Sequence, residues 1–446
     1  MKKSKILSLI FAVTLVISAF AGCGSSGEYI IPAYDEELFI EIGAWDVNSL
    51  STPGDFNECA EAGFTLLLPI HTDFGKNPTF AQKFLERAEG AGLKVIVRDI
   101  SLVNDEGNGA NLGLPADTKN IGYYKDSPAF AGILICDETG ASKYPYVKEK
   151  YDLAKELFPG KTAWTNLKPM NVAPEHLEAG SYREYVEGFM DTVAPDTLSY
   201  TNYCLFSNGT IRSVYYSNLE YVKQVAVNYG VKSHNFILAI EHWGQGGHYA
   251  PPTEKTLRWQ IACNLAYGYD FFTYYTYSTA VEEPNWTYNE GMIDRQGKKT
   301  EIYGYAKTVN TELRAWDHVY MSFVDGWKGL AVIPGSHGQT DHLLHYLDYS
   351  KSPSEIAGVK SIESTEYALA GMFEDANGNK GYMLTNASNP FQNKDAAVKI
   401  AFDKQYKGVQ VFEKGVPAIY DLDKNGGITI NLESGEGKFI IPLKKG

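Results

Sequence analysis

The chain has 446 residues, 44% hydrophobic and 21% charged, a globular balance that excludes a disordered chain, a collagen-like chain and a coiled coil. Its 54 acidic residues outnumber 40 basic ones, for a formal net charge of -14, which speaks against a nucleic-acid-binding surface. Tyr is abundant at 31 copies, and five Cys are too few for a disulfide framework in so long a chain.

The N-terminus reads as an export signal. Lys2, Lys3 and Lys5 precede a mostly apolar run from Ile6 to Phe20, the length of a signal-peptide core and shorter than a spanning helix. It closes on Phe20-Ala21-Gly22-Cys23. This segment resembles a bacterial lipobox, with Phe20 where Leu is usual. The resemblance implies loss of residues 1–22, a lipid on Cys23, and an extracytoplasmic protein anchored to a membrane at the cell surface. Residues 23–37, opening with the Ser/Gly-rich Gly24–Gly27, would form the tether. Simple secretion, with Cys23 a bystander, is the other reading. Cys59, Cys136, Cys204 and Cys263 lie in apolar or helical contexts. Buried thiols are expected there, and a disulfide among them stays open.

From residue 38 to 323 short apolar runs alternate with helical patterns. The runs are Phe39–Ala44, Phe64–Ile70, Lys94–Ile100, Phe130–Cys136, Thr162–Leu167, Thr197–Leu205, Asn235–Ile240 and Phe271–Tyr277. Their length and bounding turn residues suit buried parallel strands. Helical stretches such as Asn77–Ala91, Tyr144–Phe158, Val214–Tyr229 and Thr253–Tyr267 lie between them. Gly92, Gly160, Gly230 and Gly268 follow as C-caps. Eight such units predict an α/β fold, a (β/α)8 TIM barrel. A doubly wound sheet is the alternative reading of the same pattern.

Residues 324–446 change period. Strand-like runs from Gly329–Ile333 through His342–Asp348 to Lys438–Leu443 are punctuated by turns such as Asn377-Gly378 and Asn425-Gly426. They predict an immunoglobulin-like β-sandwich. Asp421, Asp423 and Asn425 begin like a calcium loop, but Leu432 stands at the distal carboxylate position, so a hairpin turn is expected.

Barrel active sites lie at the C-terminal ends of the strands. The fourth run ends in Asp137-Glu138 and the seventh in Glu241-His242-Trp243. Two carboxylates facing each other across the mouth can flank a glycosidic bond, one as proton donor and the other as nucleophile. Solvated or Arg-paired carboxylates are the plain alternative. The strand-4/strand-7 Glu pair resembles clan A glycoside hydrolases, which are retaining enzymes. The resemblance implies Glu138 as acid/base and Glu241 as nucleophile. Many clan members carry Asn before the acid/base to contact the sugar 2-hydroxyl. This chain has Asp137, which can accept a hydrogen bond but not donate one.

More narrowly, Ala131–Tyr144, Lys161–Pro169 and Thr253–Tyr277 look like glycoside hydrolase family 158. That resemblance implies an endo-acting β-1,3-glucanase with a barrel followed by an immunoglobulin-like domain. Relatives often have Pro where Thr139 stands.

Other strand ends offer sugar contacts: Trp45 and Asp46, His71, Arg98, Asn166, Asn202 and Tyr203, Trp243 in a Gly-rich loop, and Tyr275. Alternation sends about half of such residues into the helix layer. No G-x-G-x-x-G follows the first strand, and no P-loop, metal-ligand set or G-x-S-x-G elbow stands out. No cofactor or metal is therefore expected. The expected partners are a polysaccharide or oligosaccharide substrate and a membrane reached through the lipid anchor, with no nucleic acid, and the chain is expected to be a monomer. The competing reading is a carbohydrate-binding surface lipoprotein without hydrolytic activity.

Overall fold

The computed structural model describes residues 29–104, 111–244, 246–282, 284–336 and 351–446. The signal, Cys23, Gln245 and the run His342–Asp348 lie outside the described residues.

Eight parallel strands form the barrel: β1 (Ile42–Trp45), β2 (Leu66–Leu68), β3 (Lys94–Val97), β4 (Phe130–Asp137), β5 (Thr162–Asn166), β6 (Thr197–Tyr200), β7 (Lys232–Leu238) and β8 (Phe271–Tyr275). Their order is β5-β4-β3-β2-β1-β8-β7-β6. A bridge between Leu167 and Tyr200 closes the ring just beyond β5 and β6. Each strand overlaps one of the predicted runs, though Ile42–Trp45 runs past the end of its run and Lys232–Leu238 begins before its own, and the doubly wound alternative falls away. The strands are buried on both faces because helices such as Pro78–Gly90, Tyr144–Leu157, Tyr215–Tyr229 and Glu254–Ala266 cover the outside. Gly92, Gly160, Gly230 and Gly268 all have positive φ, the left-handed step that ends a helix and that lacks a steric cost only at Gly.

The C-terminal region is two antiparallel sheets around their own core. One carries Trp327–Ile333, Ala368–Glu374, Lys380–Asn386, Gly437–Lys445, Gly408–Glu413 and Val416–Asp421, in that spatial order. The other pairs Val359–Ser364, Ala396–Phe402 and Gly427–Leu432. Ala331, Leu384, Val398, Phe402, Val411 and Ile440 fill the space between them. The outer face of the larger sheet packs on the barrel, where Phe439 meets Trp316, Tyr320 and Phe323. The segment read as a tether includes a strand, Tyr29–Ile30, that pairs antiparallel with Lys444–Lys445. Asp423 accepts backbone N–H bonds from Asn425 and Gly427, which makes the expected hairpin turn. Cys59, Cys136, Cys204 and Cys263 are buried thiols. No helix among the described residues is long and apolar enough to cross a membrane.

Candidate active site

Strand alternation decides what reaches the barrel axis. On β4 and β5, Asp137 is in register with Asn166. On β6 and β7, Ser199 is in register with His234. These four point inward with Thr273 of β8, and they form a polar layer: Asn166 Nδ2 lies 2.8 Å from Asp137 Oδ1, Ser199 Oγ 2.9 Å from Asn166 Oδ1 and 2.8 Å from His234 Nδ1, and His234 Nε2 2.9 Å from Thr273 Oγ1. Trp164 and Phe271 pack against His234 from within the barrel.

Glu138 follows β4 with φ 53°. A left-handed backbone at a non-glycine residue costs about 1–2 kcal/mol and interrupts the strict alternation. Its N–H donates to Asn166 O at 2.9 Å. Burial pushes the Glu138 carboxyl above the ordinary carboxylate range, while a hydrogen bond from Thr201 and the charge of Lys168 pull it partly back. Thr201 Oγ1 also accepts from Asn166 Nδ2 at 3.0 Å.

Glu241 lies three residues past β7. His248 Nε2 donates to its Oε1 at 2.8 Å, Asn289 Nδ2 donates to Oε2, and the Asn289 N–H donates to its carbonyl at 3.0 Å. His248 sits on a small sheet made by His242–Gly244, Gly247–His248 and Trp286–Tyr288. The neighbouring His242 is buried in rings of Tyr203, Tyr249, Tyr275, Trp286 and Tyr288. Burial pushes its pKa down to about 4, so the ring is neutral at pH 7. Tyr203 stacks at a tilt on Tyr275, with centroids 5.0 Å apart, and both Glu138 and Asp137 act electrostatically on its hydroxyl. The aromatic wall thus links the β4 and β7 sides of the mouth.

The other expected contacts divide. Asp46 is buried at φ 56° and bonds His71 at 3.3 Å through Oδ2, while its buried Oδ1 has no hydrogen-bond partner among the described residues. His71 is partly exposed beside it. Arg98 donates to Ile70 O at 2.9 Å. Trp243 is exposed and packs edge-on against His248. Trp45 is buried inside the barrel against Phe236 and is a core residue. Asn202 corrects the expectation: it turns to the helix layer, donating to Tyr215 O at 3.2 Å, because it falls on the outward register between Thr201 and Tyr203. Thr201, Ser199, His234, Thr273, Lys168 and Asn289 were not singled out from sequence. Alternation back from Tyr203 could have found Thr201 and Ser199. Nothing in the loop before Asn289 marks it.

The fold and site define a (β/α)8 barrel with carboxylates at its C-terminal mouth and a β-sandwich behind it. No family model matches the chain, and no curated protein matches its sequence. Solved structures are similar in fold. A catalytic mutant of a GH42 β-galactosidase from G. stearothermophilus aligns at TM-score 0.53 and 10% identity, over 91% of this chain and 98% of that one. A glycoside hydrolase family 5 protein from Bacteroides vulgatus aligns at TM-score 0.51 and 10% identity, over 91% and 89%. The chain covers 63% of a β-galactosidase from Marinomonas ef1 and is covered over 65%, at TM-score 0.46 and 10% identity.

Proposed function

We propose that the protein is a retaining glycoside hydrolase that cleaves β-glucan, foremost the β-1,3-linked polymer. The observation that carries the reading is a carboxyl group at the end of β4 raised by burial, together with a carboxylate beyond β7 whose two oxygens are each held by a side-chain donor. The first favours its protonated form more than an exposed carboxyl would, and the second is held in a fixed orientation. That the similar barrels include a β-galactosidase and a family 5 glycoside hydrolase adds support at the level of fold alone.

In the first step Glu241 attacks the anomeric carbon as the C1–O bond breaks, and Glu138 gives its proton to the departing oxygen. In the second, Glu138 takes a proton from water as that water attacks C1 and releases Glu241. Among the described residues Asp46 Oδ1 is buried without a partner, and Asp46 would reach a sugar hydroxyl only with a local opening beside His71. Unpaired acceptors of this kind favour a ligand that can donate to them. Tyr203, Tyr275 and Trp243 supply ring faces for stacking. The resemblance to family 158 is what favours β-1,3-glucan over other β-glucans. We extend the proposal to the N-terminus: lipid on Cys23 anchors the enzyme outside the cytoplasm at the cell surface, as a monomer.

The test is reducing-end release from a panel of soluble β-glucans, by the wild type and by Glu138→Gln and Glu241→Gln. Turnover on a β-1,3-glucan that falls by at least ~10³-fold in both variants supports the assignment. Near-normal turnover in both contradicts it.

A further inference from the structure

The polar layer inside the barrel has a direction, and that direction follows from hydrogen counting. An Asn amide has two N–H groups and one carbonyl oxygen. Asn166 spends both hydrogens, on Asp137 Oδ1 at 2.8 Å and Thr201 Oγ1 at 3.0 Å. Its Oδ1 must therefore accept, and Ser199 Oγ donates to it at 2.9 Å. Ser199 has then used its only proton, so at 2.8 Å it accepts from His234 Nδ1. His234 is fully buried among Trp164, Phe236 and Phe271, and burial holds its pKa well below the ordinary value. A neutral ring with its proton on Nδ1 must accept at Nε2, where Thr273 Oγ1 stands at 2.9 Å. Gly43 makes room for that hydroxyl, since a Cβ there would come within 2.2 Å of Thr273 Oγ1. Each donor along the chain points toward Asp137. At Asn166 a branch leaves to Thr201 Oγ1 at 3.0 Å, a side chain that lowers the Glu138 pKa, and the Asn166 backbone carbonyl itself accepts from the Glu138 N–H at 2.9 Å.

We infer that Ser199 and His234 are positioning residues which act through Asn166 and Thr201 to hold the Glu138 carboxyl where it can protonate the leaving group. The inference rests on the reading of Glu138 as acid/base. Neither residue touches substrate. Breaking the chain at Ser199 leaves Asn166 Oδ1 without its donor, and the amide is then free to turn over and release Thr201. Small misplacements of a catalytic group cost rate out of proportion to their size.

A leaving-group comparison separates this role from general support of the fold. Dinitrophenolate departs without help from an acid, whereas a sugar hydroxylate does not. The full chain is prepared as wild type, Ser199→Ala, His234→Phe, the double variant, His234→Gln and Glu138→Gln. Each is assayed on a β-1,3-glucan oligosaccharide and on the matching 2,4-dinitrophenyl β-glycoside, the latter by the initial burst of dinitrophenolate. Ser199→Ala and His234→Phe are expected to lower kcat on the oligosaccharide roughly 10- to 100-fold with KM little changed. The burst rate should stay within about 2-fold of wild type, since acid help is not needed there. The double variant should be no worse than the more damaging single one, and His234→Gln, which keeps a donor, should recover part of the loss. Equal losses on both substrates, or none on either, overturn the inference. If His234→Phe does not fold, Ser199→Ala carries the comparison alone. If Glu138→Gln itself turns over the oligosaccharide normally, the acid/base reading has failed. If Glu138→Gln is dead on the oligosaccharide while Ser199→Ala matches wild type, only the positioning role has failed.

Discussion

His248 Nε2 lies 2.8 Å from Glu241 Oε1, on a hairpin that folds back over the end of the seventh barrel strand. Asn289 bonds the other oxygen from the far side of the same small sheet. A carboxylate held at both oxygens is fixed in rotation before a substrate arrives. Preorganisation of this kind is where a nucleophile gains rate. Replacing His248 by Ala is expected to lower kcat by about 10- to 100-fold while leaving KM within a few-fold. Replacement by Gln, which can still donate, should cost less. Steady-state kinetics on a β-1,3-glucan oligosaccharide check both. An effect confined to KM would mean that His248 binds sugar instead of positioning Glu241.

Glu138 sets the alkaline side of the pH profile. Its carboxyl is raised above the ordinary value of 4.5, chiefly by burial. The protonated form is the active one in the first step, so kcat/KM should fall as pH rises through the raised pKa. Thr201 and Lys168 both oppose the rise. Thr201→Val and Lys168→Met should therefore each move the alkaline limb to higher pH. A limb that stays in place, or moves down, contradicts the assignment.

The same shift has a consequence for stability. Between the unfolded and folded pKa values of an acid raised by burial, the folded state holds more protons than the unfolded one, and stability falls as pH rises through that window. Glu138→Gln removes this penalty. Its melting temperature should exceed that of wild type at pH 7, and the difference should vanish below the ordinary carboxylate pKa. Thermal melts at pH 7 and pH 3.5 give the sign directly.

Away from the mouth, Lys223 and Asp270 form a buried ion pair at 3.4 Å. Ser233 donates to the same carboxylate oxygen from both its N–H and its hydroxyl, each at 2.8 Å. Burial lowers the Lys223 pKa, and the Asp270 charge opposes this. Lys223→Met leaves Asp270 buried without its cation, a change that typically costs about 3–5 kcal/mol. The pair with Asp270→Asn should cost less than the sum of the single changes. Urea unfolding of the two single variants and the double variant measures the coupling.

The barrel and sandwich share aromatic packing. Phe439 is fully buried, stacked on Trp316 at 6.1 Å and packed edge-on against Tyr320, Phe323 and Phe373. Phe439→Ala opens a cavity between the two units and is expected to cost about 3–5 kcal/mol. A chain ending near residue 323 would expose the same rings and should aggregate, which light scattering would detect.

The eight barrel strands were legible because each is a short apolar run closed by turn signals, and the C-cap glycines marked where helices end. Val359–Ser364 was missed because its outward polar residues break the apolar run. The strand Tyr29–Ile30 was missed because two residues carry no period, and it is defined only by its partner Lys444–Lys445. At the site, Glu138, Glu241, Asp46 and His71 could be read from their positions at strand ends. Asn202 could not, since facing the helix layer depends on a register counted from Thr201. The network through Ser199, His234 and Thr273 was hidden for a similar reason. These residues sit inside apolar strands, and only the closed barrel joins three separate strands in one chain that reaches Asp137 through Asn166.

The most direct test of the central claim is azide rescue of the two Glu→Ala variants on the 2,4-dinitrophenyl β-glycoside, with the product's anomeric configuration read by NMR. In Glu241→Ala the missing nucleophile leaves room for azide on the α face, and the account predicts restored turnover with an α-glycosyl azide as product. In Glu138→Ala the glycosyl-enzyme still forms on Glu241, and azide then displaces it to give the β-glycosyl azide. The reverse pairing of products, or no rescue in either folded variant, would contradict the assignment of Glu241 as nucleophile and Glu138 as acid/base.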